Sequence, residues 1–183
     1  MLKTSFFHTY PDIETARLVL RRLKMSDTEA IHAIRSNTEV NTYLDRPLSI
    51  STDEAASFIQ KIDNLVASNE GLYWAITLKD NGALIGTICY WNIDAEKDKA
   101  ELGYELLPQF QGKGIMTEAL KSVIELGFDF LKLKNITAFP QKDNIKSHKL
   151  LEKCHFTRDF EREKLENGDI YAAYILTDSI NFK

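Results

Sequence analysis

LLPQFQGKGIMTEAL, Leu106–Leu120, sets two glycines and a single charged residue, Lys113, between an apolar run and the first turns of a helical pattern. Glycine costs conformational entropy wherever it is ordered, so two of them at a helix mouth call for a reason. Bare backbone amides at a helix N-terminus suit an anion, and a phosphate best of all. The loop is neither of two common phosphate loops. Gly114 follows Lys113 where a P-loop needs Ser or Thr, and Thr117 stands where a dinucleotide-binding loop needs its third glycine.

The elements on either side define the architecture. Upstream, RLVLRRL from Arg17 alternates apolar and basic residues, a first strand. Two helices are expected next, each opening on a capping box, Ser26 with Glu29 and Ser51 with Glu54. In the second, Ala55, Phe58, Ile59, Ile62, Leu65 and Val66 keep helical spacing. YWAITL and LIGTICYWNI flank Asn81-Gly82, a hairpin signal, and AELGYELL makes a third strand ending before Pro108. Downstream of the loop, Ile115, Ala119, Val123, Leu126 and Phe130 mark a long helix laid on a sheet. NITAF is a short strand, NIKSHKLLEKC a short helix, and the chain closes on a hairpin turning at Asn167-Gly168. Helices packed on a central mixed sheet follow, an α/β architecture, and all-helical or all-strand folds are excluded.

Composition sets outer bounds. The 183 residues are 44% hydrophobic and 27% charged, enough for a real core in one domain spanning residues 1–183. A net charge of -4 disfavours non-specific nucleic-acid binding. Cys89 and Cys154 lie far apart in apolar surroundings without metal-ligand spacing, so they read as buried thiols and no metal site is expected. The first residues show neither a secretory pattern nor an apolar run long enough for a bilayer, which points to a cytoplasmic protein with no membrane partner.

GYELLPQFQGKGIMTEAL and DNIKSHKLLEK, in this element order, resemble the GNAT superfamily of acetyl-CoA-dependent N-acetyltransferases. The nearest likeness is to the branch of ribosomal-protein N-terminal acetyltransferases (RimJ/RimL-like). The resemblance implies a mostly antiparallel sheet with splayed central strands and helices on both faces. It also implies acetyl-CoA as co-substrate and an amine acceptor, a protein N-terminus or a small molecule, attacked directly in a ternary complex. The family loop [Q/R]-x-x-G-x-[G/A] fits in two registers. Gln111, Gly114 and Met116 keep the usual distance to the helix better than Gln109, Gly112 and Gly114, with Met116 a departure from Gly or Ala. In that register the N–H groups of Gly112, Lys113, Gly114, Ile115, Met116 and Thr117 would meet the coenzyme A pyrophosphate. Lys113 would add a charge, and the Thr117 hydroxyl serves either as a phosphate donor or as a helix cap.

By the same resemblance, Tyr104, Glu105 and Leu106 would pair through their backbones with the pantetheine arm, as an added strand would. The N–H near Leu106 would face the thioester carbonyl. Asn144 is either a pantetheine contact or a helix cap. Ser147, three residues on, is either the acid for the departing thiolate or a capping-turn residue. Many members carry a tyrosine seven residues after that asparagine, where this chain has Leu151. His155, where many relatives have glycine, reads as structural.

The general base is expected on the strand, where Glu101 and Glu105 share a face by period two, with Glu101 preferred. Glu161, Glu163 and Glu166 in the last hairpin are alternatives, and His32 and His148 read as helix-surface residues. Tyr43, Phe58, Tyr73, Trp74, Trp91 and Tyr171 read mostly as core. A monomer or homodimer is expected. The runner-up is a non-catalytic acyl-CoA-binding module, permitted by the missing tyrosine.

Overall fold

A computed structural model describes residues 10–94 and 96–178, so the first nine residues, on which the reading for a leader chiefly rests, lie outside it. In chain order the strands and helices are β1 (Ile13–Glu14), β2 (Leu18–Arg21), α1 (Thr28–Ser36), α2 (Thr38–Asn41), α3 (Thr52–Ala67), β3 (Leu72–Leu78), β4 (Leu84–Asp94) and β5 (Lys99–Leu106). There follow α4 (Ile115–Glu125), β6 (Asn135–Ala138), α5 (Ile145–Lys153), β7 (Thr157–Arg158), β8 (Lys164–Glu166), β9 (Asp169–Tyr171) and β10 (Tyr174–Thr177). Eight strands form one sheet in the order β1-β2-β3-β4-β5-β6-β10-β7, and β8 and β9 form a separate hairpin. Neighbours run antiparallel except β5 and β6. The expected mixed, mostly antiparallel sheet is present. β1, α2 and β7 are too short to leave a periodic signal.

Alternation along the strands splits the core between two faces. Leu18, Leu20, Trp74, Ile76, Ile88, Tyr90 and Leu102 turn to one side and pack with Ile115, Ala119, Val123 and Ile124 of α4. Tyr73, Ala75 and Cys89 turn to the other and meet Ile31 and Ile34 of α1 and Ala55, Ile59 and Ile62 of α3. Cys89 and Cys154 are both free and buried, as the apolar context implied.

Helix starts show where local pattern is overridden. Ser51 caps α3, accepting from the Glu54 N–H at 3.3 Å, while the Glu54 carboxylate reaches back to the Ile50 N–H at 2.9 Å. The expected Ser26–Glu29 box does not form. Ser26 falls inside a 3₁₀ turn, Met25–Asp27, and α1 starts only at Thr28. Asp27 takes over, accepting from the Lys24 N–H at 2.8 Å and from both terminal nitrogens of Arg21 at 2.8 Å. Burial pushes its carboxyl up, but the bonds from Arg21 and Lys24 outweigh this and hold it below the ordinary carboxylate value.

The long helix expected after the glycine loop is α-helical only to Glu125 and then widens into a π-turn, Leu126–Phe130. A side chain inserted beside the ladder is one cause of such distortion. The fully buried Tyr90 sends its hydroxyl from the sheet to the Val123 carbonyl at 2.9 Å. Gly127 makes room, because a Cβ there would lie 2.6 Å from that hydroxyl oxygen.

Two outcomes are expected. Gly127→Ala should cost about 1–3 kcal/mol in urea unfolding through overpacking. With Tyr90→Phe added, the loss should be less than the sum of the two, since the oxygen struck by the new methyl is gone. Because the folded-state pKa of Asp27 is lowered, its stabilisation is present above the unfolded value of about 4 and is lost as pH falls through the folded value. The urea midpoint of Asp27→Asn should therefore vary less between neutral and acid pH than that of the unaltered protein.

Candidate active site

The centre of the site is the place where β5 loses its neighbour. β5 and β6 pair only at Lys99↔Asn135, Ala100↔Ile136 and Glu101↔Thr137. Beyond Glu101 the strand continues to Leu106 with β4 alone beside it. Its register with β4 is unbroken from Trp91↔Glu101 to Gly86↔Leu106, and the Leu107 N–H donates to the Ile85 carbonyl at 2.9 Å. Odd-numbered residues thus spend their backbone groups on β4, while Tyr104 and Leu106 turn theirs into the gap that β6 has left. Glu105 does not fit the backbone role expected of it. Being odd-numbered, it faces β4, and its side chain is buried in an ion pair with Arg46 at 2.5 Å and accepts from Thr87 at 3.0 Å.

The glycine loop closes one end of the gap. Gly112 and Gly114 have φ of 72° and 74°, left-handed values that suit glycine, and Gly114 is the N-cap of α4. The first N–H of this helix to reach a chain carbonyl is that of Glu118, on Gly114 at 3.1 Å. Among the described residues, the N–H groups of Gly112, Lys113, Gly114, Ile115, Met116 and Thr117 have no partner in the chain. A Cβ at Gly112 would meet nothing within 4 Å, so the space over the loop is open. Ile115 and Met116 bury their side chains in the core and offer only backbone here. Since Gly114 is the cap, Thr117 is not, which removes one of the two roles considered for it.

Three side chains fix this loop. Glu118, in the first turn of α4, accepts from the Thr15 hydroxyl at 2.6 Å, the Arg17 N–H at 2.8 Å and the Arg17 guanidinium at 2.7 Å. Partial burial raises its carboxyl, but these bonds prevail and lower it. Arg17 also donates to the Lys113 carbonyl at 3.0 Å. The Gln111 side chain donates to the Leu106 carbonyl at 3.0 Å and accepts from Lys146 of α5 at 2.9 Å. Lys113 is exposed, its ammonium 5.8 Å from the Phe110 ring centre.

α5 forms the facing wall. Asn144 is its N-cap, accepting from the Ser147 N–H at 3.1 Å, so its carbonyl oxygen is engaged and its amide nitrogen is the group left for other contacts. Ser147 is 9% exposed, and its hydroxyl stands 2.5 Å from that of Tyr104, 43 residues away in sequence. Leu151, one turn further on, is fully buried. His155 takes the left-handed position after the helix, φ 64°, with the Phe156 N–H on Leu151 and its own on Glu152, each at 3.0 Å. That is a Schellman cap, a structural role. His148 differs from its reading as a surface residue. It is buried, with Nδ1 3.0 Å from the Tyr174 hydroxyl and Nε2 2.9 Å from the Lys142 carbonyl.

On the opposite face of β5 lies a cleft of about 750 Å³. Glu101 lines it, with Asn92 donating to its carboxylate at 3.0 Å. Tyr43, Trp91 and Tyr171 line it too, so these aromatics wall a cavity where core packing was expected, while Tyr73 and Trp74 are core. Asp45, Glu70 and Glu166 add three more carboxylates. The tip of the β8–β9 hairpin, Asn167, donates to Asp45 and bridges the cleft. Of the hairpin glutamates considered, Glu166 reaches the cleft, whereas Glu163 pairs with Arg158 at 2.6 Å. Sequence reasoning missed Glu118, Arg46 and Asp45. A first-turn acid at a helix dipole was the only local signal for Glu118, and none existed for the other two. Among the described residues no cluster of His, Cys, Asp and Glu has the makings of a metal site, and no helix is long and apolar enough to cross a membrane.

Comparison with known proteins bears on this arrangement. The model of the acetyltransferase (GNAT) domain matches residues 17–157. An uncharacterised N-acetyltransferase, YoaA, of Bacillus subtilis (strain 168) is 35% identical over 164 residues, covering 88% of this chain and 93% of that protein. A GNAT-family acetyltransferase from Bacillus anthracis superposes with a TM-score of 0.80 at 22% identity, over 93% of this chain and 100% of the other. Spermidine N-acetyltransferase from Vibrio cholerae, solved with CoA and spermine, does so with a TM-score of 0.79 at 21% identity, over 90% and 98%. These matches span the strand–loop–helix unit and both walls of the gap, and the chain belongs to the GNAT family of N-acetyltransferases.

Proposed function

We propose that the protein transfers an acetyl group from acetyl-CoA to a primary amine, with both held at once on either side of β5. One observation carries this reading. The open edge of β5 and the glycine loop lie toward α4 and α5, the acid-lined cleft lies on the other face, and the two meet where β5 and β6 part.

Unspent N–H groups over Gly112–Thr117, open space above Gly112 and the adjoining positive end of α4 fit a pyrophosphate. The backbones of Tyr104 and Leu106 suit the amide-bearing pantetheine arm, with the Asn144 amide nitrogen beside it. Acetyl-CoA supplies an activated acetyl thioester. The Leu106 N–H serves as donor to the thioester oxygen as charge gathers there. Across the strand, a primary amine is mostly protonated at neutral pH and must lose a proton before it attacks. Glu101 takes that proton, directly or through water, and Ser147 offers its hydroxyl to the departing sulfur. The Vibrio cholerae relative was solved with spermine, and an acceptor bearing several ammonium groups would likewise suit the carboxylates around Glu101.

Incubation with acetyl-CoA and a panel of spermidine, an aminoglycoside, free amino acids and ribosomal-protein N-terminal peptides, with thiol release titrated, tests the proposal. Release with none of them, despite tight coenzyme A binding, would favour a sensor. Gly114→Val should weaken acetyl-CoA binding by about tenfold or more in calorimetric titration, because a β-branched residue resists positive φ and crowds the amides. An unchanged dissociation constant removes the loop from the site. Glu101→Gln should lower kcat by about 10²–10⁴-fold with acetyl-CoA affinity kept, and full activity would exclude Glu101 as base.

A further inference from the structure

Ser147 has a difficulty as a partner for the leaving sulfur. An alkyl hydroxyl is a weak acid and a free rotor, and nothing in α5 itself fixes where its proton points. The structure supplies a second hydroxyl. Tyr104 projects from β5 toward α5, packs against the core, and brings its phenol oxygen 2.5 Å from Ser147 Oγ. Among the described residues, neither hydroxyl has another hydrogen-bond partner.

Two O–H groups share one hydrogen bond, so one proton is left over, and the chemistry of the pair decides which. A phenol is a far stronger donor than an alkyl hydroxyl, and the serine oxygen is the better acceptor. The phenol therefore donates and Ser147 keeps its proton for a further acceptor. The reverse arrangement would leave the stronger donor's proton unspent, the costlier of the two unmade bonds. Burial raises the Tyr104 pKa well above its ordinary value, which keeps the phenol protonated and donating at every physiological pH. Accepting one hydrogen bond also polarises the serine hydroxyl and strengthens the bond it gives.

We propose that Tyr104 is a positioning residue for thiolate departure: its phenol donates to Ser147 Oγ and turns the serine proton toward the sulfur of coenzyme A. This rests on the acetyl-CoA site proposed above. No proton travels through Tyr104. As the amine nitrogen bonds to the acyl carbon, the carbon–sulfur bond breaks, the sulfur leaves with the electron pair, and the Ser147 O–H stabilises it until solvent protonates it. The strand thus provides a hydroxyl beside Ser147, whereas Leu151, one turn further along α5, is fully buried and has none to give.

The test needs no acceptor. Coenzyme A and desulfo-coenzyme A, which lacks the sulfur, are titrated by calorimetry across the ionisation of the thiol. The unaltered protein should prefer coenzyme A in its thiolate form, and Tyr104→Phe should weaken that preference about tenfold, or about one pH unit. Ser147→Ala should lose the same preference, and the two changes together should lose no more than Ser147→Ala alone. Desulfo-coenzyme A should bind all of them equally, which reports an intact slot. A fluorinated tyrosine at 104 keeps the ring and makes the phenol a stronger donor, so it should move the thiol ionisation the other way. An identical thiolate preference in the unaltered protein and Tyr104→Phe, or losses that multiply in the double variant, overturns the proposal. Failure of the unaltered protein to bind either compound overturns the acetyl-CoA site itself.

Discussion

The proposed site depends on one broken pairing. Backbone N–H and C=O groups in a sheet are obligatory hydrogen-bonding groups, and a strand that loses a neighbour must find other partners or meet water. β5 loses β6 after three residue pairs yet continues to Leu106. Period two then assigns each later position to a task. Odd residues remain tied to β4, while even residues present backbone to the gap and side chains to the α4 face, where Tyr104 meets Ser147 of α5. The same parity sends Glu101 and Glu105 to the opposite face, where Glu105 is spent on Arg46 and Glu101 borders the cleft. A shift of one residue in this strand would exchange the two sets and abolish the arrangement.

A gap of this kind is useful only if its ends stay put. The helix mouth is held by a carboxylate, Glu118, gripped by Thr15 and Arg17 from the β1–β2 corner, and Arg17 in addition restrains the Lys113 carbonyl. Across the gap, Gln111 ties the end of β5 to Lys146 of α5. The contacts are charge-assisted or involve backbone, and those of Thr15 and Arg17 link segments about a hundred residues apart. Arg46 does the same for the cleft, anchoring the segment that carries Tyr43 and Asp45 to β5 itself. Both sides of the strand are therefore referenced to one rigid element, the condition under which two reactants can be held in attack geometry.

These fixings explain what the sequence could and could not disclose. Signals that act within a few residues were legible. Asn81-Gly82 and Asn167-Gly168 both turn hairpins, Ser51 caps α3, and the two glycines of the loop take left-handed values. Signals that depend on a distant partner were misread or absent. Ser26 falls inside a 3₁₀ turn whose Asp27 is held by Arg21, and His148 is buried against Tyr174. Tyr43, Trp91 and Tyr171 look like core residues because aromatic composition cannot tell a packed interior from a walled cleft. Glu105 is the instructive case. Its period places it beside Glu101, but only the Arg46 contact separates a structural carboxylate from one free to face the cleft.

The pairing of Tyr104 with Ser147 belongs to the same class of long-range contact, and it bears on how a missing residue is to be weighed. Leu151 in place of a tyrosine looks like the loss of a catalytic group when the helix is read alone. In three dimensions α5 is one wall of a gap whose other wall is a strand, and a hydroxyl can be delivered from either. Leu151 sits fully buried in the apolar cluster, where a phenol would need a polar partner. Tyr104 reaches the same gap from β5 with its ring against the core and its oxygen against Ser147. What the proposed reaction needs is a donor aimed at the sulfur, and a gap with two walls constrains where that donor sits more tightly than which element carries it.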